Sequence, residues 1–208
     1  MSAPAPSSKF SLPAELDRYG AFIFDCDGTL ADTMPVHQIA WIHALRKHGA
    51  EFEFGWDLFM SRAGKTIELT VVELNEQFGT RLNPARVAAD QRAHFDALAA
   101  QILPLHEVVA FARERAKAGF PVAVASGGDA PTVNRTLRAI GVSDLFLVVV
   151  TAEEVEHGKP APDLFLLAAK RMGVQPEQCL VFEDSLLGIA AAERAGMAAV
   201  LVERASPP

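Results

Sequence analysis

Four groups able to do chemistry stand at or just past the ends of apolar runs in this 208-residue chain: Asp25-Cys26-Asp27-Gly28-Thr29, Ser126-Gly127-Gly128, Gly158-Lys159-Pro160 and Glu183-Asp184-Ser185. Asp25 and Asp27 share one face of an extended strand, about 6.6 Å apart, and Gly28 permits a bend that brings the second carboxylate over the first. One carboxylate can then attack an electrophile while the other handles a proton, because crowding drives their proton affinities apart. The adjacent acids Glu183 and Asp184 repel unless a cation lies between them, and with Asp25 they supply the hard oxygen ligands that suit Mg²⁺. Lys159, held between Gly158 and Pro160, offers a fixed ammonium for an anion. Ser126 offers a hydroxyl, and the glycines after it leave backbone N–H groups approachable, a setting for phosphate oxygens. Each signal alone has a plain reading: Asp-X-Asp-Gly is an ordinary turn, Asp184 or Ser185 an ordinary helix cap, and Lys159 an ordinary surface lysine. Their company favours phosphoryl transfer to a carboxylate, with Asp25 attacking, Asp27 as acid and base, and the cations spreading negative charge.

Such residues converge only if the fold brings the strand ends together. The runs Ala21–Asp25, Pro121–Ser126, Leu145–Val150, Cys179–Asp184 and Ala198–Val202 are apolar on both faces. Helical patterns over 105–118, 130–140, 162–172 and 186–195 alternate with the last four. This predicts a doubly wound, Rossmann-like parallel α/β sheet covered on both sides, whose strand carboxyl ends share one crevice. Between the first strand and the rest lies a stretch with helical rhythm only. Val36, Ile39, Ile42 and Leu45 recur along its first helix, 35–48, and glycines or Asn83-Pro84 interrupt the remaining helical pattern up to residue 100. The expected organisation is a mobile Pro/Ala/Ser-rich leader over 1–17, an α/β core over 18–33 and 101–208, and an inserted helical unit over 34–100.

Composition narrows the class. With 19 basic against 26 acidic residues the net charge is −7, which argues against nucleic acid as a partner. No run approaches the roughly 20 apolar residues of a membrane span, and the first residues lack the apolar core of a secretory signal. Cys26 and Cys179 are too few and too distant for a disulfide framework, so a reducing cytoplasm is the expected home, and a monomer the expected state.

The segments FDCDGTLADT, VAVASGG, GKPAPDLFLLAAKRMGV and CLVFEDSLLGIAAAERAGM, in this order, resemble the haloacid dehalogenase superfamily. They are most similar to its branch of β-phosphoglucomutase and small sugar-phosphate phosphatases. The resemblance implies Asp25 as nucleophile and Asp27 as acid/base. It implies Mg²⁺ held by the Asp25 side chain, the Asp27 carbonyl and Asp184, with Glu183 in support, and a phosphoryl group held by Ser126, the Gly127 amide and Lys159. It makes 34–100 a cap that closes over a small phosphorylated metabolite, with His37, Gly64 and Lys65 as candidate substrate contacts. Asp27 sets the chain with phosphatases and mutases rather than dehalogenases, which expel halide and need no second Asp. Where the mutase has a Lys soon after the Ser loop this chain has Asp129, and where the mutase-like pattern has an Arg after the cap glycine it has Lys65-Thr66. These departures favour a phosphatase of the fructose-1-phosphate type; a sugar phosphomutase is the alternative. Cys26 and the tryptophans Trp41 and Trp56 read as packing residues.

Overall fold

A computed structural model describes residues 8–62 and 65–204. In chain order the strands and helices are β1 (Ser8–Lys9), β2 (Ala21–Phe24), β3 (Ala31–Asp32), α1 (Met34–Lys47), α2 (Trp56–Met60), α3 (Ile67–Phe78), α4 (Pro84–Ala97), β4 (Leu103–Pro104), α5 (His106–Lys117), β5 (Val122–Ala125), α6 (Ala130–Ala139), β6 (Val148–Val150), α7 (Asp163–Met172), β7 (Cys179–Glu183), α8 (Leu186–Arg194), β8 (Ala198–Leu201) and β9 (Glu203–Arg204). They divide into two compact units, Met34–Gln101 and the remainder of the chain.

The larger unit is built on a five-stranded sheet in the order β6-β5-β2-β7-β8, parallel throughout. Its strands are short apolar runs because both faces are covered, as a sheet made by helical crossovers requires. Alternation along β2 sends Ala21 and Ile23 into one core with Ala123, Ala125, Val181, Leu164 and Phe165. Phe22 and Phe24 point into an aromatic layer on the opposite face. There Phe24 stacks on Phe182 with centroids 4.9 Å apart, and Phe111 of α5 lies 4.9 Å from Phe182 and 5.4 Å from Phe22. Strand β3 pairs antiparallel with β4, so the chain leaves this unit and re-enters it on neighbouring strands.

The smaller unit is helical, α1 to α4. The expected apolar stripe of α1 is shifted: Ile39 is exposed, whereas Val36, Ala40, Trp41, Ala44 and Leu45 are buried. Two alanines one turn apart let α1 and α4 approach closely, so the packed face is set by small side chains rather than by the largest. Trp41 belongs to the core of this unit with Phe54, Phe59, Val71 and Leu74, and Trp56 packs against it.

Two expectations need correction. The run Leu145–Val150 is strand only from Val148: Leu147 is 96% exposed, so these leucines belong to the turn leading into the edge strand. The leader expected to be mobile through residue 17 is structured from Ser8. Ser8 and Lys9 pair with Arg204 and Glu203, the Ser8 amide donates to the Glu107 carboxylate at 3.1 Å, and Phe10 meets Phe182 and Phe111 edge-on at 5.5 and 6.2 Å. A short segment with one aromatic anchor is invisible to periodicity, which needs several turns or alternations to register. Residues 1–7 lie outside the described residues. Phe10→Ala should lower the unfolding free energy by roughly 1–3 kcal/mol, less than for a fully buried ring. Urea titration followed by circular dichroism checks this, and an unchanged midpoint would mean the segment is not docked.

Candidate active site

Strand register assembles the site. Phe24 lies opposite Val124 on one side and Phe182 on the other, so one residue further Asp25 comes level with Ala125 and Glu183. The Asp25 amide still donates to the Phe182 carbonyl at 3.0 Å, which holds the carboxylate at the last regular position of the central strand. The chain then turns. Leu30 and Ala31 donate their amides to the Cys26 carbonyl, and Gly28 donates to the Ala31 carbonyl at 2.8 Å. Gly28 has φ +83°, and a Cβ there would collide with the Asp184 carboxylate. Glycine is therefore required twice, for the left-handed backbone and for the space Asp184 occupies.

Lys159 reaches this point from the loop after β6. Its Nζ lies 2.6 Å from Asp25 Oδ1 and 2.6 Å from Glu183 Oε1, and 5.1 Å from the centre of the Phe165 ring. Burial works against the charged ammonium, but the attraction of Asp25 and then Glu183 outweighs it and raises the Lys159 pKa. The surface lysine of the plain reading is thus a largely buried ammonium whose charged form the two acids favour. The second Glu183 oxygen, Oε2, accepts from the Ser185 amide at 2.6 Å. Ser185 in turn caps α8, its hydroxyl accepting from the Gly188 amide at 3.0 Å, and a Cβ on Gly188 would fall on the Glu183 carboxylate. The helix start and the buried acid are built around one another.

Asp184 completes an acidic cluster. One carboxylate oxygen from each of Asp25, Glu183 and Asp184 lies within 4.8 Å of the others. Thr29 donates to Asp184 Oδ1 at 3.2 Å. Burial, then the neighbouring Glu183 charge, push the Asp184 pKa up to about 7, against its own backbone amide, Lys159 and Thr29. Burial holds Asp25 well above the usual carboxylate range; Lys159 opposes this, and Glu183, Asp184 and Asp27 push further upward. Two buried acids and the half-buried Asp184 stand around one ammonium, which leaves two negative charges unmatched when all are ionised. That deficit and the all-oxygen donor set fit a divalent cation such as Mg²⁺.

Asp27 lies two residues past Asp25, in the turn after β2. Its Oδ1 is buried with no hydrogen-bond partner, and its Oδ2 is 3.8 Å from where a Cβ on Gly128 would be. A buried carboxylate oxygen left unpartnered is costly. Ser126, 1% exposed, ends β5; its hydroxyl accepts from the Gly128 amide at 3.1 Å. Gly127 is exposed at the same sheet edge. Cys26 is fully buried, and burial, then Asp27 and Asp25, push its thiol pKa well above the usual value, so it is a packed thiol and not a nucleophile.

The expected residues of the helical unit are arranged differently from those of the sheet edge. His37 stacks on Phe95 at 4.0 Å, with its Nδ1 3.3 Å from Gln91 Nε2. Lys65, expected to hold a second phosphate, places its Nζ 2.6 Å from Glu73 Oε1, and Arg62 lies 2.5 Å from the same carboxylate. Gly64 lies outside the described residues. Sequence reasoning gave Gly28 a role in the bend but not in making room for Asp184, and gave Thr29 and Gly188, which also shape the acidic pocket, none. Only Gly28 carried a signal, its place after the second Asp.

The parallel α/β sheet thus gathers two aspartates, a lysine and an acidic pair at one edge. The haloacid dehalogenase-like hydrolase profile matches residues 19–196. The fructose-1-phosphate phosphatase YqaB of Escherichia coli is 38% identical over 188 residues, spanning 88% of this chain and 96% of that protein. Among solved structures, CbbY of Rhodobacter sphaeroides in complex with phosphate superimposes with a TM-score of 0.76 at 26% identity, covering 87% of this chain and 84% of that one. A β-phosphoglucomutase from Clostridium difficile does so at 0.72 and 25%, covering 87% and 83%. The chain belongs to the haloacid dehalogenase-like hydrolase family, and it is an enzyme of the phosphatase kind. Among the described residues no helix is long and apolar enough to cross a membrane.

The raised acid pKa values set the sign of a metal test. With no cation, the raised Asp184 group costs no stability below its unfolded value near 3.8; the cost builds from there to about pH 7 and is constant above it. Millimolar Mg²⁺ should therefore raise the melting temperature more at pH 8 than at pH 5.5, and Asp184→Asn should blunt the rise at pH 8. Differential scanning fluorimetry in chelator and in Mg²⁺ reads both. An equal shift at the two pH values would place the ion elsewhere.

Proposed function

We propose that this protein is a Mg²⁺-dependent phosphatase of small phosphate monoesters, sugar phosphates of the fructose-1-phosphate kind, acting through an aspartyl-phosphate. The observation that carries the proposal is the Lys159 ammonium held at 2.6 Å by both Asp25 and Glu183, beside an acid, Asp27, whose inner oxygen has no partner. The likeness to YqaB supports the substrate class. Two free, buried cysteines support a reducing cytoplasmic setting.

In this mechanism the Asp25 and Asp184 side chains and the Asp27 carbonyl would hold the divalent ion, with Glu183 fixing Lys159 beside Asp25. When bound, Mg²⁺ lowers the cost of negative charge on the phosphoryl oxygens. Ser126, the Gly127 amide and Lys159 orient the phosphoryl group so that an Asp25 oxygen attacks phosphorus in line. The bond from phosphorus to the ester oxygen breaks, and Asp27 gives that oxygen its proton, so the leaving group departs as a neutral alcohol. Asp27, now ionised, takes a proton from water as the water oxygen attacks the same phosphorus. The phosphorus–Asp25 bond breaks, and inorganic phosphate and the free carboxylate return. Burial favours a protonated Asp25, and Lys159 beside it works in the opposite direction, toward the ionised form the attack requires.

Asp25→Asn keeps the shape and removes the nucleophile. It should reduce phosphate release from sugar monophosphates by about 10³-fold or more, while circular dichroism stays native. A colorimetric phosphate assay decides this, and residual activity near wild type would end the proposal. The likeness to β-phosphoglucomutase supports the alternative reading, and the same assay separates the two: a mutase would isomerise the sugar phosphate without releasing stoichiometric phosphate.

A further inference from the structure

Away from the sheet edge, three histidines and one acid gather where α1 packs along α4 in the helical unit. Small and branched residues are buried on the two helices, Ala40 and Ala44 on one and Val87 and Ala88 on the other. On the same pair of helices the His43 and His94 rings stack face to face, with centroids 3.8 Å apart and planes 4° from parallel. His43 is exposed and His94 half-buried. Asp90, one turn before His94, accepts from Lys47 Nζ at 2.7 Å and lies 2.7 Å from His48 Nε2. Helix residues meet those three and four positions away, so Arg46 and Lys47 flank His43, and Asp90 is the one charged residue that flanks His94. Asp96, two positions on, lies on another face of α4. On the α3 side, Arg92 is already paired with Glu68 at 2.9 Å. The stack thus has two cations beside it, and the one acid within reach is taken by Lys47 and His48.

We propose that the His43–His94 stack is a proton-sensitive latch within the helical unit: with one proton or none the rings clasp α1 to α4, and a second proton, taken up in mildly acid solution, parts them and loosens this seam. A neutral imidazole stacks well on a neutral or a charged ring, whereas two imidazolium charges at this distance repel, and no free carboxylate stands by to offset them. Burial first, then the charge of His43, hold the His94 pKa below its ordinary value of 6.5. The open seam therefore binds more protons than the closed one. Closure is complete above about pH 6.5 and is lost progressively as pH falls beneath it.

Hydrogen exchange of the full chain, read by mass spectrometry on peptides from α1 and α4, tests the latch. Protection, corrected for the intrinsic pH dependence of amide exchange, is compared at pH 7.5 and 5.5 in wild type and in His43→Phe. Phenylalanine keeps a flat ring against His94 and takes no proton. His48 and Asp90 are unchanged in both proteins, so their own pH response cancels in the comparison. At pH 5.5 a ring of ordinary affinity is protonated about ten times more often than not, so wild type should lose roughly 3- to 10-fold in protection over these helices. The variant should lose no more than about twofold, and its His94 should titrate at a higher pH in an NMR titration of the ring protons. His94→Phe supplies the reciprocal comparison should the first variant not fold. An equal loss of protection in wild type and variant would overturn the latch, as would wild-type protection that does not change between the two pH values.

Discussion

The structure turns on one buried ammonium shared by two buried carboxylates. Lys159 sits between Asp25 and Glu183 at equal distances, where burial drives Asp25 toward its protonated form and the ammonium opposes it. Buried ion pairs gain their Coulomb energy only after a large desolvation cost, and a cluster with surplus negative charge gains less still. The arrangement is therefore poor as a stabilising device and good as a reactive one. It sets an ammonium against Asp25 and leaves a charge deficit that a divalent cation fits.

The rest of the larger unit serves that arrangement. Parallel register sets Asp25 level with Glu183, and the aromatic layer of Phe22, Phe24, Phe111 and Phe182 keeps the two strands from sliding. Glycine stands where any side chain would push an acid aside: Gly28 against Asp184, and Gly188 against Glu183. Alanine in place of a helical glycine is ordinarily favourable, so the glycine at 188 trades helix propensity for the seat of a carboxylate.

How far the residues alone led depended on how regular each signal was. The strand ends Asp25, Ser126 and Glu183 were legible because continuous apolar runs give the sheet, and parallel sheets gather their carboxyl edges. Lys159 was legible by its stiff Gly-Lys-Pro setting, although not its two partners, which depend on loop geometry. The docking of Ser8–Phe10 was hidden, since two strand residues and one aromatic ring have no period. The pairing of Lys65 with Glu73 was hidden too: residues eight apart are ordinarily not read as neighbours, and a loop folding back on α3 makes them so. On α1 the bulky stripe misled, because close packing selected Ala40 and Ala44 over Ile39.

Removal of the shared cation tests the central claim most directly. Lys159→Met keeps the chain length and apolar stem while leaving Asp25 and Glu183 facing each other uncompensated. Equilibrium urea unfolding at pH 8 in chelator should show a loss of about 3 kcal/mol relative to wild type. That loss should shrink at pH 5.5, where the raised acids can protonate. An unfolding midpoint equal to or above that of wild type at pH 8 would contradict the account, since it would mean that the ammonium does not hold the acids charged.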